Sequence, residues 1–245
     1  MQVIDFYNNL ATKTSGFLAT GRFFSFSPFL HKHIFNNINK KIIIKDSDEV
    51  LDLGGGTGEL TKYFSQICRR VTLADGAEKA IDVAKSKLKN FKNVEYVVAD
   101  INRPLPFSRE QFNKIICYSV AHYLKDMEKF NFLLEQLLLV CASKGLIFIG
   151  DIPLSEKYVK NLAERKKNSI ANFLGNIRYL FKKIATSFLY NVKGINPIHF
   201  SSIKFTKEAI LDVLKNYQGI ECGFLAQDPR LPFANSREDL LIKKI

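Results

Sequence analysis

Residues 50–59 read VLDLGGGTGE, with four glycines in five positions directly behind a short apolar run. A strand that turns at once into a helix beside a ligand uses glycine, because glycine accepts positive φ and lets the main chain come close to the ligand. Three loop chemistries compete for this stretch. A phosphate-cradling P-loop closes on Gly-Lys-Ser or Gly-Lys-Thr, and no Lys-Ser or Lys-Thr follows here. A dinucleotide loop needs Gly-x-Gly-x-x-Gly; starting from Gly54 and Gly56, its third glycine would fall on Glu59, so that frame fails. What fits is Gly54-x-Gly56-x-Gly58, preceded by Asp52.

Outward from the loop, residues 41–151 alternate regularly. KIIIKDSDEVLDL holds a strand ending at Val50–Leu53. ELTKYFSQICRR spaces Leu60, Tyr63, Phe64 and Ile67 as a helix face. RRVTLAD reads as a strand ending in Asp75, AEKAIDVAKSKLKNF as a helix, and NVEYVVAD as a strand ending in Asp100. FNKIICYS is a strand, KFNFLLEQLLLVC a helix, and GLIFIGD a strand ending in Asp151. Such alternation predicts a parallel sheet covered by helices on both faces. Residues 4–40 read as helical and aromatic-rich, and 154–200 as a basic helical insertion. FTKEAILDVLKNY then resumes as a helix with Thr206 as N-cap, and the tail reads as two antiparallel strands. The 245 residues are thus expected to form one domain: 1–40 an N-terminal helical segment, 41–153 the core, 154–200 the insertion, and 201–245 the last helix and strands.

Composition narrows the class. Hydrophobic residues make up 47% of the chain, enough for a sizeable core, and the net charge of +12 favours anionic partners. Cys68, Cys117, Cys141 and Cys222 are widely spaced and read as reduced thiols, with no metal cluster. The start, MQVIDFYNN, has no signal-like pattern. FNFLLEQLLLVCASKGLIFIG is broken by Glu135, Lys144 and Gly145, so it reads as a helix and a strand rather than a membrane span. The expected location is the cytoplasm, with contact to the inner face of the membrane left open.

The loop, with Asp52, Gly54, Gly56 and Gly58, resembles the first motif of class I S-adenosylmethionine (SAM)-dependent methyltransferases. The resemblance covers residues 45–151 well, and FYNNLATKTSGF within residues 1–40 resembles the helical lid of small-molecule members. It implies an α/β, Rossmann-like, doubly wound, mostly parallel seven-stranded sheet with an antiparallel last strand, and SAM as cofactor. By the same resemblance, Asp75 receives the ribose hydroxyls, and Asp100 with Ile101 lies beside the adenine. ICYSVAHYL places Ser119 and His122 near the methionine end. A carboxylate suits the ribose, being acceptor-only and able to receive two donors.

The acceptor is less constrained. No Asn/Asp-Pro-Pro-Tyr/Phe follows the fourth strand, which weakens methylation of base amines or glutamine, and Cys117 lacks the preceding proline of a cytosine-attacking thiol. His122 is the candidate base, and Asp151 could orient or deprotonate an acceptor. His199 and Tyr7 are lesser candidates. Residues 155–194 hold nine lysines and arginines against two glutamates, a net +7, with Ile170, Phe173, Leu174, Ile177, Phe181, Ile184 and Phe188 at helical spacing. That segment could cover the site, touch an anionic membrane surface, or cradle a phosphorylated or lipid-linked acceptor. The expectation is transfer to a small anionic molecule at oxygen. An RNA or protein methyltransferase and a non-catalytic scaffold are the alternatives; nucleic acid is disfavoured because no appended RNA-binding module is present.

Overall fold

A computed structural model describes residues 3–14, 29–160, 191–195, 205–231 and 233–245. The described elements are α1 (Val3–Lys13), α2 (Leu30–Ile42), β1 (Glu49–Leu53), α3 (Thr61–Phe64), β2 (Arg70–Asp75) and α4 (Glu78–Lys87). They continue with β3 (Val94–Val98), β4 (Phe112–Tyr118), a 3-10 turn (Ala121–Tyr123), α5 (Met127–Val140), β5 (Cys141–Pro153), α6 (Lys207–Leu214), β6 (Ile220–Ala226) and β7 (Arg237–Lys244).

The strands form one seven-stranded sheet in the order β3-β2-β1-β4-β5-β7-β6. β1 to β5 run parallel; β7 runs antiparallel to both of its neighbours. This is the doubly wound sheet with an antiparallel last strand that the alternation and the resemblance imply. The central strands are buried on both faces, so their apolar runs are continuous rather than alternating. On one face, α2 lays Leu30, Ile34, Ile38 and Ile42, four residues apart, against Val50, Val71, Ile116 and Phe148. On the other, Phe130, Leu133, Leu134 and Leu137 of α5 pack with Ile115, Ile147 and Ile149. Each such side chain contributes about 1.5–3 kcal/mol by leaving water.

The chain leaves β1 toward β2 and β3, then crosses back to β4 on β1's other side. The carboxyl ends of β1 and β4 therefore flank the point where the winding reverses, and open α/β sheets bind ligands in the crevice there.

Caps follow the sequence. Asp126 accepts the Lys129 amide at 2.9 Å and starts α5; Thr206 Oγ accepts the Ala209 amide at 3.1 Å and starts α6. Three details differ from the sequence reading. The helix after the glycine loop is a single turn, because the Asn93 side chain donates to the Ser65 and Cys68 carbonyls, at 2.9 and 3.0 Å, that a longer helix would use. β3 ends at Val98, and Asp100 instead anchors a turn by accepting the Asn102 amide at 2.9 Å. β5 runs through Asp151 to Pro153. His199 and the apolar stripe of 170–188 lie outside the described residues. Among the described residues, no helix is long and apolar enough to cross a membrane.

One buried carboxylate joins three parts of the fold. Asp239, in β7, is fully buried. Its Oδ2 accepts from Lys41 at 2.6 Å and Asn37 at 3.1 Å, both on α2. Its Oδ1 accepts from Gln227 at 2.8 Å and the Asp151 amide at 2.9 Å. Removing one partner of a buried pair leaves the rest desolvated and unmatched. Asp239→Ala is expected to cost about 3–5 kcal/mol of folding stability, measured by urea unfolding; a cost under about 1 kcal/mol would place the pair among weakly contributing surface bridges.

Candidate functional site

The loop after β1 is pinned to the neighbouring strand. The Gly54 amide donates to the Ala74 carbonyl at 2.7 Å, and the Gly56 amide donates to Asp75 Oδ2 at 2.9 Å. Gly54, Gly56 and Gly58 have φ of +76°, +55° and +80°. At Gly54 a β carbon would fall 2.3 Å from Val120 Cγ2, so the approach of the 119–123 segment requires glycine. At Gly56 a β carbon would meet nothing within 4 Å. That loop position is left-handed and open, and its main chain is accessible to a ligand.

Asp75 closes β2 beside Gly56. Its Oδ1 accepts the Ala77 amide at 2.8 Å, while Oδ2 holds Gly56. Burial raises its pKa above the ordinary carboxylate value, partly offset by these two amide donors. Two oxygens offer about four acceptor positions, so the two amide donors leave the carboxylate with further acceptor capacity. Asp100 and Ile101 follow β3, and Asp100 lines an open groove of about 390 Å3 with Val98, Ala99, Arg103, Pro104 and Ile4. Ile4 comes from α1 and packs on Gly76, next to Asp75.

Asp52 lies on the other side of the loop from its open edge. It is 2% exposed, and its Oδ2 accepts the Thr61 hydroxyl at 2.6 Å beneath Gly55. Asp52, which the resemblance groups with the glycines of the cofactor loop, supports that loop from beneath. Desolvation raises its pKa to about 7, with Thr61 opposing and the Asp75 charge adding.

A second group gathers at the ends of β4 and β5. Ser119 and Asp151 both have positive φ, +62° and +64°. Non-glycine residues held there cost about 1–3 kcal/mol each and concentrate at functional sites. Ser119 Oγ donates to Asp151 Oδ2 at 2.5 Å, and the same oxygen accepts Arg237 Nη1 at 2.6 Å. Asp151 is 5% exposed and locked into that ion pair, which differs from a carboxylate free to take an acceptor's proton. His122 sits in the 3-10 turn with its ring 4.0 Å from that of Tyr123. The Tyr123 hydroxyl is hydrogen-bonded to that of Tyr7, and their rings meet edge-on at 5.7 Å, so α1 reaches this group too. Cys117 is fully buried and its thiol is pushed up to about 12 by desolvation, which suits packing and not nucleophilic attack.

Arg237 and Asp239 were not singled out from the sequence. Their signal is present in REDLLIKK: two charged residues of like facing, 237 and 239, begin a strand whose next residues are apolar. A charge at such a position in a covered strand implies a buried partner.

Comparison with known proteins places this arrangement. Residues 50–145 match the family described as methyltransferase domain. The matched stretch, similar to a methyltransferase domain, spans the glycine loop, Asp75, Asp100, Ser119 and His122. A ubiquinone/menaquinone biosynthesis C-methyltransferase of Escherichia fergusonii is 30% identical over 156 residues, which are 58% of this chain and 61% of that protein. The chain thus spans 61% of the length of the curated relatives it matches. Among solved structures, a SAM-dependent methyltransferase from Aquifex aeolicus superposes with a TM-score of 0.57 at 16% identity, covering 89% of this chain and 94% of that one. A SAM-dependent methyltransferase of Leishmania major gives 0.64 at 13% identity, covering 98% and 81%. These two likenesses bear on the fold alone.

The buried Asp52 yields a pH test. Its folded-state pKa near 7 exceeds the unfolded value of 3.8, so the folded state holds the proton more tightly and stability falls as pH rises between those values. Asp52→Asn retains an acceptor for Thr61 without the charge. The variant is expected to gain stability over the parent by a few kcal/mol, on the order of 1–4, between pH 4 and pH 8. Urea unfolding at both pH values checks this; a gap independent of pH would contradict it.

Proposed function

We propose that this chain is a SAM-dependent methyltransferase acting on a small anionic acceptor, at oxygen. The observation that carries the reading is the open, left-handed Gly56 beside the Asp75 carboxylate, at the winding reversal of the sheet. The residues fit the cofactor. Gly56 leaves room for it against the main chain, and Asp75 retains acceptor positions for paired ribose hydroxyls. Asp100 and Ile101, with the groove under Ile4, would flank the adenine. Ser119 would face the methionine end. Asp52 supports the loop from below and Gly54 admits Val120. When bound, SAM supplies an electrophilic methyl group on a sulfonium.

The chain's own contribution is then orientation and proton handling. Holding an acceptor oxygen in line contributes up to about 7–11 kcal/mol. His122 is assigned the proton of the acceptor hydroxyl. Asp151, tied to Arg237, is assigned to fix Ser119 instead of acting as the base. α1 is assigned to cover the site, with Ile4 over the adenine groove and Tyr7 at Tyr123 beside the acceptor. The E. fergusonii relative's name specifies carbon methylation, which favours a carbon acceptor as the second reading.

Two experiments test the proposal. Asp75→Ala is expected to weaken SAM binding about tenfold or more, because charge-assisted bonds are worth roughly 1.5–3 kcal/mol each. Calorimetry on variant protein with an unchanged circular dichroism spectrum measures it, and unchanged affinity would contradict the ribose assignment. Incubation with isotopically methyl-labelled SAM and a panel of phosphorylated sugars and lipids tests the acceptor. An oxygen-bound methyl resonance supports the proposal, and a carbon-bound one favours the second reading.

A further inference from the structure

Arg237 opens β7 and pairs with Pro153 at the end of β5, so it stands on the rim that holds Ser119 and Asp151. Its Nη1 donates to Asp151 Oδ2 at 2.6 Å and to the Asp151 carbonyl at 3.3 Å. A guanidinium carries five N–H donors on three nitrogens. Among the described residues, Nε and Nη2 donate to nothing. The Phe233 ring covers the guanidinium, its centroid 4.9 Å from Cζ. The side chain is 20% exposed. Arg237 is thus fixed by Asp151 on one nitrogen and by an aromatic face, while a planar donor edge stays accessible.

Neutralising Asp151 alone would not require that edge. A fixed, half-committed guanidinium fork beside an aromatic wall matches the two oxygens of a phosphate or carboxylate. The chain's net charge of +12 raises the local concentration of such anions. We propose that Arg237 is a specificity-determining residue that binds an oxyanion group of the methyl acceptor at the carboxyl edge of β5 and β7. The assignment to the acceptor rests on the methyltransferase reading above; the oxyanion site itself rests on the geometry of Arg237. Asp151 competes with the anion for the guanidinium and so sets its affinity.

The test titrates inorganic phosphate into three proteins: the parent, Asp151→Asn, and the double variant Asp151→Asn/Arg237→Gln. Arg237→Gln alone is avoided, since it would strand a buried carboxylate. Asparagine retains an acceptor for Ser119 and tolerates the left-handed backbone at 151. The double variant removes one positive and one negative charge together, so its net charge equals the parent's and diffuse attraction to surface lysines is unchanged. Asp151→Asn is expected to bind phosphate about tenfold more tightly than the parent, and the double variant to lose that binding. Equal affinity of Asp151→Asn and the double variant, with both folded by circular dichroism, would overturn the proposal. S-adenosylhomocysteine is titrated into the same parent sample. Absence of its binding would count against the methyltransferase reading, while the phosphate comparison between variants still decides whether Arg237 is an oxyanion site.

Discussion

The hydrogen bond from the Gly56 amide to the Asp75 carboxylate ties the loop after β1 to the end of β2. The site is organised around it. Residues with φ near +76°, +55° and +80° break the regular ladder, and within the loop the Gly58 amide closes a turn onto the Gly55 carbonyl at 3.0 Å. The amides before it are taken by the neighbouring strand: Gly54 by the Ala74 carbonyl and Gly56 by Asp75. Asp52 and Thr61 close the space beneath. The loop is therefore pre-formed, with one open side, and a ligand arriving there meets a main chain that has little ordering left to lose.

The rim opposite is stabilised differently. Ser119 and Asp151 occupy left-handed backbone that ordinary residues avoid. That cost is offset by a chain of buried polar contacts running from Ser119 through Asp151 to Arg237, and from the Asp151 amide to Asp239 and Lys41. Because Asp239 also joins α2 to β7, the rim's geometry depends on packing far from it. The two sides of the crevice thus rest on separate supports, one a glycine loop and the other a buried ion network.

The parallel sheet was legible in the sequence because buried strands read as short apolar runs and the helices between them repeat at helical spacing. The glycine loop was legible because a tight strand-to-helix turn leaves few residue types to choose from, and Asp75 because it ends the next strand. The length of α3 was not, since it is set by Asn93, about thirty residues away in sequence. That Asp52 lies beneath the loop was not legible, because spacing gives a residue's position and not the face its side chain takes. Arg237 and Asp239 were missed because their partners, Asp151 and Lys41, are brought near only by the pairing of β5 with β7 and the docking of α2.

The central claim is that the open side of Gly56 beside Asp75 is a SAM site. The most direct measurement is calorimetric titration of the purified chain with SAM and with S-adenosylhomocysteine. Micromolar binding of both, at one site per chain, is the result expected of a pre-formed loop. Well-folded protein that binds neither would contradict the account.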